Sequence, residues 1–229
     1  MKTVAIIQAR MGSHRLPGKT LMKLGNYTLL ETVINSVKRN QFIEQVIVAT
    51  SNLPIDDVIE NECSSMQIEC YRGDAENVLS RFVDIAKHLS PEDTIVRVTA
   101  DNPINNHKVS ETLYDQHIKE NADYTCIDGL SHIVYEFVKV EAILKLEKNN
   151  LEPADKEHVT KYIREHTKEF KVQKLSAKKY ELIPDLDNLL KIDTIEDYNR
   201  FVALNQVFDF EKPIDFSKLY NSLRHHINV

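Results

Sequence analysis

The chain has 229 residues and a formal net charge of -6, with 42% hydrophobic and 28% charged residues. A chain of this length fits one large α/β domain, so we expect a single domain over residues 1–229. The negative charge argues against a broad nucleic-acid-binding surface, because non-specific binding to a phosphate backbone requires clustered lysine and arginine.

The N-terminal apolar run, residues 4–7, is too short for a signal-peptide core or a membrane span. The three cysteines, Cys63, Cys70 and Cys126, have neither the spacing nor a histidine partner of a metal site. They are interpreted as reduced core thiols. We therefore expect a cytoplasmic protein that associates with neither nucleic acid nor a membrane.

The first half of the chain alternates short apolar strands with amphipathic helices. Helices are predicted at residues 29–37, 56–63 and 77–88. Strands are predicted at residues 4–7, 45–50, 69–71 and 94–99, with the strand at 4–7 central. This order predicts an α/β fold whose parallel sheet has right-handed crossovers.

The second half of the chain is less regular. The tail, residues 206–229, has no interpretable pattern, and Arg224-His225-His226 within it is interpreted as a solvated end rather than a metal site. The remaining predictions are an irregular stretch at 124–137, helices at 139–148 and 156–166, a late strand at 189–192, and a terminal helix at 195–203 capped by Asp193 and Thr194.

The loop at residues 8–19 carries the most informative pattern. It places two glycines and the cations Arg10, Arg15 and Lys19 directly after the first strand. A nucleoside triphosphate needs backbone amides that approach it closely and cations that neutralise it. A solvated basic loop is the alternative, but α/β sheets bind ligands at the carboxyl ends of their strands, which favours an anion site. The glycine spacing matches neither a Walker A motif nor G-x-G-x-x-G.

The string R-M-G-S-H-R-L-P-G-K at residues 10–19 closely resembles the signature loop of the CMP-sugar-forming cytidylyltransferases. These include the CMP-KDO and CMP-sialic acid synthetases and especially the SpsF-type branch of spore-coat polysaccharide biosynthesis. The resemblance implies a GT-A-like (Rossmann-like) nucleotide-binding fold, with a mostly parallel twisted sheet flanked by helices. It also implies CTP as the donor, a divalent metal and a homodimer. The residues that it implies for triphosphate binding are Arg10, Arg15 and Lys19, with further contacts from Ala9, Gly12 and Ser13.

Asp101 is a candidate metal ligand because it follows the predicted strand at 94–99. Mg²⁺ prefers one or two carboxylates together with phosphate oxygens and water. Considered alone, an aspartate that begins a turn ahead of Pro103 is an equally good interpretation. The segment resembles the family's G-D-x-P segment, with Ala100 in place of the glycine, and this resemblance implies that Asp101 binds the metal.

Asp193 is the second candidate ligand. The segment at residues 191–197 resembles the family's late I-D-T-P-E-D segment, with Ile195 in place of the proline. The resemblance implies that Asp193 completes the metal site. The alternative is that Asp193 or Thr194 serves only as a helix cap.

Two further segments resemble parts of the family's nucleotide site. Residues 72–81 resemble R-G-S-x-x-[D/N]-V-L-x-R, which borders the cytidine pocket and implies Arg72, with Asn77 as a candidate. Arg81 in this segment is interpreted as a surface ion pair on the helix. Ser51 belongs to a turn that resembles the loop approaching the base, although serine needs no special explanation in a turn.

The segment at residues 155–160 resembles the D-x-E-H-V-T segment of the SpsF-type branch, which implies that Glu157 and His158 lie on the acceptor side. An ordinary half-buried helix histidine is the commoner role for a residue such as His158. Residues 129–135 resemble a G-L-D-x-E-V-F stretch, but Ser131 and Ile133 replace both acidic residues. The identity of the acceptor is therefore left open.

Together these features imply a Mg²⁺-dependent nucleotidyltransferase that transfers CMP from CTP to a small acidic acceptor and releases pyrophosphate. The acceptor would be a sugar acid or a related phosphonate or phosphate. The catalytic residues would be Arg10, Lys19 and Asp101. One alternative is a glycosyltransferase of similar fold, which usually needs a D-x-D motif that residues 101–103 do not supply. A nucleotide-binding relative without turnover is the other alternative.

Overall fold

The computed structural model describes residues 1–130 and 132–227, without the side chains of residues 186 and 224–227. Ser131 and the side chains of Arg224, His225 and His226 therefore lie outside the described part of the chain. The strands are β1 (Thr3–Gln8), β2 (Lys23–Leu24), β3 (Tyr27–Thr28), β4 (Gln45–Ser51), β5 (Glu69–Gly73), β6 (Thr94–Thr99), β7 (Tyr124–Ile127), β8 (Glu136–Lys139) and β9 (Val172–Leu175).

The α-helices lie between and after these strands. They are α1 (Leu29–Lys38), α2 (Asp57–Ser65), α3 (Val78–Ala86), α4 (His107–Glu120), α5 (Val140–Leu146), α6 (Pro153–Glu157), α7 (Lys161–Glu165), α8 (Pro184–Asp187), α9 (Ile195–Asn205) and α10 (Phe216–Ile227). In the described part of the chain, no helix has the length and apolar character needed to cross a membrane.

Seven strands form one sheet in the order β5-β4-β1-β6-β8-β7-β9. Strand β1 pairs in parallel with β4 on one side and with β6 on the other. The pairings β4–β5 and β7–β9 are also parallel, whereas β8 runs antiparallel to both β6 and β7. The prediction of a mostly parallel α/β sheet with an interior first strand is confirmed.

The apolar run at residues 4–7 is fully buried because helices cover both faces of the sheet. Ala5 and Ile7 belong to the core that includes α1, whereas Val4 and Ile6 belong to the core that includes α3. Successive strand residues point to opposite faces, so a strand buried on both faces must be apolar at every position. Burying each large side chain of this kind stabilises the fold by about 1.5–3 kcal/mol.

The structure corrects several predictions for the second half. The stretch expected to be irregular contains β7 and β8, both buried at every position, which removes the alternation that usually reveals a strand. The helix predicted at 156–166 is two short helices, α6 and α7, which are separated at residues 158–160. The predicted late strand is instead a 3₁₀ turn at Asn188–Leu190. The sequence did not reveal α4, β9 or α10.

Candidate active site

A cavity of about 310 Å³ opens where β1 and β6 end, beside the loop at residues 8–19. The residues predicted from the sequence that line it are Ala9, Arg10, Ser13, Arg15, Lys19, Asp101, Glu157 and Asp193. Lining residues that the sequence did not reveal are Gln8, His14, Thr20, Val78, Arg81, Thr99 and Ala100. The loops after the strands predicted at 4–7 and 94–99 therefore converge, as their placement at strand ends predicted.

The ammonium of Lys19 joins the two candidate metal ligands. Its Nζ donates to Asp101 Oδ2 at 2.9 Å, to Asp193 Oδ1 at 2.9 Å and to the backbone oxygen of Ile192 at 2.6 Å. A lysine ammonium has three N–H donors, so all of them are used. The Lys19 side chain is only 10% exposed. The two aspartates, remote in sequence, are thus held on either side of one buried positive charge.

Further cations surround Asp193. The Nη2 atom of Arg15 lies 2.8 Å from Asp193 Oδ2, and Lys191 Nζ lies 3.3 Å from the same oxygen. Burial alone would raise the pKa of Asp193, but hydrogen bonding and charge from Lys19 and Lys191 outweigh it and lower the pKa. Asp193 is therefore a carboxylate at neutral pH.

The backbone around Asp193 is positioned by a helix cap and by the Asp101 segment. Thr194, the N-cap of α9, accepts from Asp197 N at 3.2 Å, and Asp197 Oδ2 accepts from the backbone nitrogens of Asp193 and Thr194 at 2.9 Å each. Ile192 N donates to the backbone oxygen of Asp101 at 3.0 Å. Because Thr194 is the cap, the Asp193 carboxylate is available to the cavity.

The cationic loop is folded back on itself at Met11. The backbone oxygen of Met11 accepts from Ser13 N at 2.9 Å and from Gly18 N at 3.0 Å. Gly18 has φ of 75°, a left-handed conformation that favours glycine. Met11 N donates to Asp56 Oδ1 at 2.7 Å, and the other oxygen of Asp56 accepts from the Ser51 hydroxyl. The loop after β4 thereby holds the loop after β1.

Five predicted nucleotide or acceptor residues do not line the cavity. Ser51 is occupied with Asp56, and Asn77 caps α3 by accepting from Ser80 N at 3.1 Å. Gly12 and His158 are exposed, so His158 is not half-buried. The fifth is Arg72, and the ligand-binding roles of all five remain predictions.

Arg72 is held by the residues around α2. Its Nη1 lies 2.6 Å from Asp57 Oδ1 and 2.9 Å from Glu60 Oε2. Its Nε donates to the backbone oxygen of Ser51 at 3.1 Å, and its Nη2 donates to that of Leu53 at 2.9 Å. These contacts fasten the loop after β4 to α2 and to β5.

The interpretation of Arg81 as a surface ion pair is wrong. Arg81 is 2% exposed, and its Nη1 donates to the backbone oxygen of Ala49 at 3.1 Å. Among the described residues, no carboxylate lies within ion-pair distance of it. Charged residues three or four positions apart pair only where the helix surface is exposed. Arg81 instead lies on the buried part of α3, where its neighbours Val78 and Phe82 are also buried.

The donor set of Asp101 and Asp193 fits a metal that shares the phosphates of a nucleotide. The described residues contain no group of three or more His, Cys, Asp or Glu side chains that could hold a metal ion alone. Mg²⁺ is commonly held by one or two carboxylates plus substrate phosphates and water rather than by an all-protein cage. Two carboxylates that already share one cation match that requirement.

The parallel sheet, with paired carboxylates and a cationic loop at the carboxyl ends of its strands, defines a nucleotide-binding α/β fold. Residues 4–217 match the family model described as cytidylyltransferase. The chain therefore belongs to the cytidylyltransferase family.

Known relatives agree with this assignment. The chain is 35% identical over 224 residues to the spore coat polysaccharide biosynthesis protein SpsF of Bacillus subtilis, covering 95% of this chain and 92% of that protein. A cytidylyltransferase structure from Leptospira borgpetersenii is 27% identical, with a TM-score of 0.85 and coverage of 100% of this chain and 96% of that one.

The fold is also shared with a CMP-2-keto-3-deoxy-manno-octonic acid (KDO) synthetase complexed with CTP. That structure has a TM-score of 0.66 at 13% identity and covers 89% of this chain and 98% of its own. The family and the nucleotide-binding α/β fold that the sequence implied are confirmed.

Proposed function

We propose that this protein transfers CMP from CTP to a small acidic acceptor and releases pyrophosphate. The observation that carries the proposal is the contact of Lys19 Nζ with both Asp101 and Asp193 at 2.9 Å. This contact joins the loop after β1 to two carboxylates that are remote from each other in sequence. The membership of the cytidylyltransferase family supports CTP as the donor.

Asp101 and Asp193 would hold Mg²⁺. Such an ion, when bound, neutralises phosphate oxygens and favours attack on the α-phosphorus. Lys19 keeps the two carboxylates at a fixed separation, which reduces the reorganisation needed when the nucleotide enters. Phosphoryl transfer depends on positioning and charge more than on a covalent nucleophile, so no such nucleophile is needed here.

Arg10 and Arg15 would bind the phosphates that leave as pyrophosphate. Their side chains are 47% and 64% exposed, so both can move toward a ligand in the cavity. Arg10 lies 3.9 Å from Glu157, a long contact between exposed groups that contributes little to stability. A bound triphosphate would therefore displace that contact at small cost. Ala9 and Ser13, which line the same cavity, would supply further nucleotide contacts.

The acceptor would approach from the side of Glu157. Its carboxylate is 56% exposed, and it is the one acceptor-side residue predicted from the sequence that lines the cavity. A sugar acid, phosphonate or phosphate could supply the attacking oxygen. A role in polysaccharide biosynthesis, a homodimer and a single domain over residues 1–229 are parts of the same proposal.

The proposal can be tested by nucleotide binding followed by turnover. Titration calorimetry with CTP, UTP and ATP in the presence of Mg²⁺ should give CTP the highest affinity. Pyrophosphate release is then measured with CTP and each of KDO, N-acetylneuraminate and hydroxyethylphosphonate. Asp101→Asn should lower the rate with the best acceptor by roughly 100-fold to 1000-fold while the protein stays folded.

The control is Asp115→Asn, which makes the same change at an exposed position on α4. We expect this variant to release pyrophosphate at the wild-type rate. Equal affinity for the three nucleotides would contradict the proposal, as would an Asp101→Asn variant with the wild-type rate. CTP-selective binding without pyrophosphate release, with Mg²⁺ and each of the three acceptors present, would favour the alternative of a nucleotide-binding relative without turnover.

A further inference from the structure

Gln8 is a polar residue at the end of an otherwise apolar run in the central strand. It is the last residue of β1, lines the cavity and remains partly exposed. Val4 and Ile6 of the same strand belong to the core that includes α3. Because alternate residues of a strand point to the same face, the Gln8 side chain lies on the α3 side of the sheet.

The amide group of Gln8 is oriented by Arg97. The Nε atom of Arg97 donates to Gln8 Oε1 at 3.2 Å. A guanidinium has donors and no acceptor, so it must face the carbonyl oxygen of the amide rather than its nitrogen. In the described part of the chain, this is the hydrogen bond that the Gln8 side chain makes, and Nε2 takes no part in it. The two N–H groups of Nε2 are therefore available to a ligand in the cavity.

Arg97 is held in turn by a buried carboxylate. Its Nη1 donates to Glu136 Oε2 at 2.9 Å, and the same oxygen accepts from Thr160 Oγ1 at 2.9 Å. Glu136 is 5% exposed and Thr160 is 1% exposed. A buried ion pair is often no more stabilising than well-packed apolar residues, so what this pair adds is a fixed position for the groups bonded to it.

The same network reaches the segment that carries Glu157. Thr160 is the N-cap of α7 and lies three residues after Glu157, the last residue of α6. Glu157 lines the cavity, and the acceptor would approach from its side. One buried ion pair thus positions both Gln8 and the segment that follows Glu157.

The paired carboxylates of the cavity are connected to the other face of the sheet. Asp193 follows Ile192 and leads into α9, and both Ile192 and Phe201 of α9 belong to the core that includes α1. The cavity therefore has charged groups for phosphates and metal on the α1 side. On the α3 side, Gln8 contributes an uncharged hydrogen-bond donor.

We propose that Gln8 positions the acceptor, by donating hydrogen bonds from Nε2 to its acid group. This inference rests on the proposed function. With the phosphates bound by the cationic loop and the paired carboxylates, the acceptor is left the part of the cavity between Gln8 and Glu157. An uncharged amide can hold the acid group there without competing with Arg10 and Arg15 for the phosphates. Arg97 is a positioning residue, because it acts on the acceptor only through Gln8.

The test compares Gln8→Glu with Gln8→Leu. Pyrophosphate release is measured with CTP, Mg²⁺ and whichever of KDO, N-acetylneuraminate and hydroxyethylphosphonate the wild-type protein uses fastest. Gln8→Leu removes the N–H donors, whereas Gln8→Glu keeps an oxygen for Arg97 but replaces the donors with a negative charge. The KM for the acceptor should rise by about tenfold to a hundredfold in Gln8→Leu, the range for a hydrogen bond to a charged group, and by more in Gln8→Glu. Titration calorimetry should give both variants the wild-type affinity for CTP.

Arg97→Lys tests the positioning of Gln8. The lysine keeps a positive charge beside Glu136 but lacks the forked donors that bond Glu136 and Gln8 together. The KM for the acceptor should rise by less than in Gln8→Leu, and the affinity for CTP should be kept. The control is Gln41→Glu, which makes the same change as Gln8→Glu at an exposed position and should keep every wild-type value.

Three outcomes would overturn the role of Gln8. One is a wild-type KM for the acceptor in Gln8→Glu. Another is an equal loss of affinity for CTP, which would make Gln8 a nucleotide ligand. The third is a larger effect of Gln8→Leu than of Gln8→Glu, which would mean that Gln8 serves only as an acceptor for Arg97.

Two further outcomes concern the other parts of the proposal. A wild-type KM for the acceptor in Arg97→Lys would overturn the positioning role of Arg97. A wild-type protein that releases no pyrophosphate with any of the three acceptors would contradict the proposed function itself, so the two failures are distinct.

Discussion

The backbone N–H of Met11 donates a hydrogen bond of 2.7 Å to the carboxylate of Asp56, a residue that is only 1% exposed. Met11 is also the residue whose oxygen folds the cationic loop back on itself. A single buried carboxylate after β4 therefore sets the shape of the loop that follows β1. The position of Arg10, next to Met11, depends on this bond.

Asp56→Ala should loosen the cationic loop. The change leaves Met11 N and the Ser51 hydroxyl without their acceptor, which should lower the free energy of unfolding by about 1–3 kcal/mol and weaken the binding of CTP. Asp57→Ala is the matched control, because Asp57 is 56% exposed and its ion pair with Arg72 should contribute less than about 1 kcal/mol. Urea unfolding and CTP titration measure both effects. Equal stability of the two variants would refute this role of Asp56.

Lys19→Met should change how the protein responds to Mg²⁺ without nucleotide. Removal of the ammonium leaves the carboxylates of Asp101 and Asp193 close together with less compensating charge. We expect the melting temperature of the variant to fall, and to rise on addition of Mg²⁺ by more than that of the wild type. The control is Lys108→Met, which removes an exposed cation on α4. If Mg²⁺ shifts the wild type and Lys19→Met equally, these two carboxylates do not form the metal site.

Two histidines, the buried His117 and the half-buried His107, should make the protein less stable in mild acid. Burial lowers the pKa of His107 and of His117 from 6.5 to about 4. Below about pH 6.5 the unfolded chain binds protons at these rings, whereas the folded protein does not until about pH 4. The free energy of unfolding should therefore fall as the pH falls through this range, by about 1.4 kcal/mol per pH unit for each histidine.

The contribution of one histidine can be isolated by comparing urea unfolding at about pH 7 and about pH 5. His117→Gln should remove about 2 kcal/mol of the difference between the two conditions. His88→Gln, at an exposed position, should leave the difference unchanged. If the free energy of unfolding of His117→Gln differs between the two pH values by as much as that of the wild type, the pKa of His117 is not lowered in the folded protein.

Glu136 and Arg97 should behave as one unit in stability measurements. Glu136 Oε2 accepts from Arg97 Nη1 at 2.9 Å and from Thr160 Oγ1 at 2.9 Å, and the glutamate is 5% exposed. Burial alone would raise the pKa of Glu136, but the charge of Arg97 outweighs it and lowers the pKa. Glu136→Ala should cost about 3–5 kcal/mol because it leaves Arg97 without its partner.

A double-mutant cycle measures the coupling. Glu136→Ala combined with Arg97→Ala should destabilise by less than the sum of the two single changes. Glu141→Ala, which breaks an exposed pair with Lys145 on α5, should cost less than about 1 kcal/mol. Additive costs in the cycle would mean that the two buried groups do not depend on each other.

Much of the first half of the fold could be predicted because its strands are unbroken apolar runs and its helices have one apolar face. The convergence of Lys19 and Asp101 followed from the same reasoning, since the loop that carries Lys19 and the turn that carries Asp101 each follow a parallel strand. Asp193 reached the site even though the strand predicted before it was wrong. Its position depends on the α9 cap and on the bond between Ile192 N and the Asp101 oxygen, neither of which requires a strand.

The rest could not be predicted for physical reasons. A strand buried at every position, such as β7, has no periodic pattern that separates it from a buried helix segment. The contacts of Arg72 depend on the acidic first turn of α2. From the sequence alone, Arg81 is interpreted as an exposed charge, because its burial depends on the space that Gly73 leaves for its side chain. A glycine at the end of a strand was nevertheless a signal that another group approaches the backbone closely there.

Strand β6 pairs in parallel with β1 and antiparallel with β8, so within the sheet it joins the parallel strands β5, β4 and β1 to the strands β8, β7 and β9. Through the hydrogen-bonded ladder of the sheet, β7, β8 and β9 are joined to β1 by way of β6, and Ile127 of β7 also shares an apolar core with Ala9 and Leu16 of the cationic loop. The reversal of strand direction at β8 thus separates the outer strands from β1 and β6, whose ends line the cavity. Such a division would let enzymes with this architecture evolve new acceptor preferences without having to rebuild nucleotide recognition.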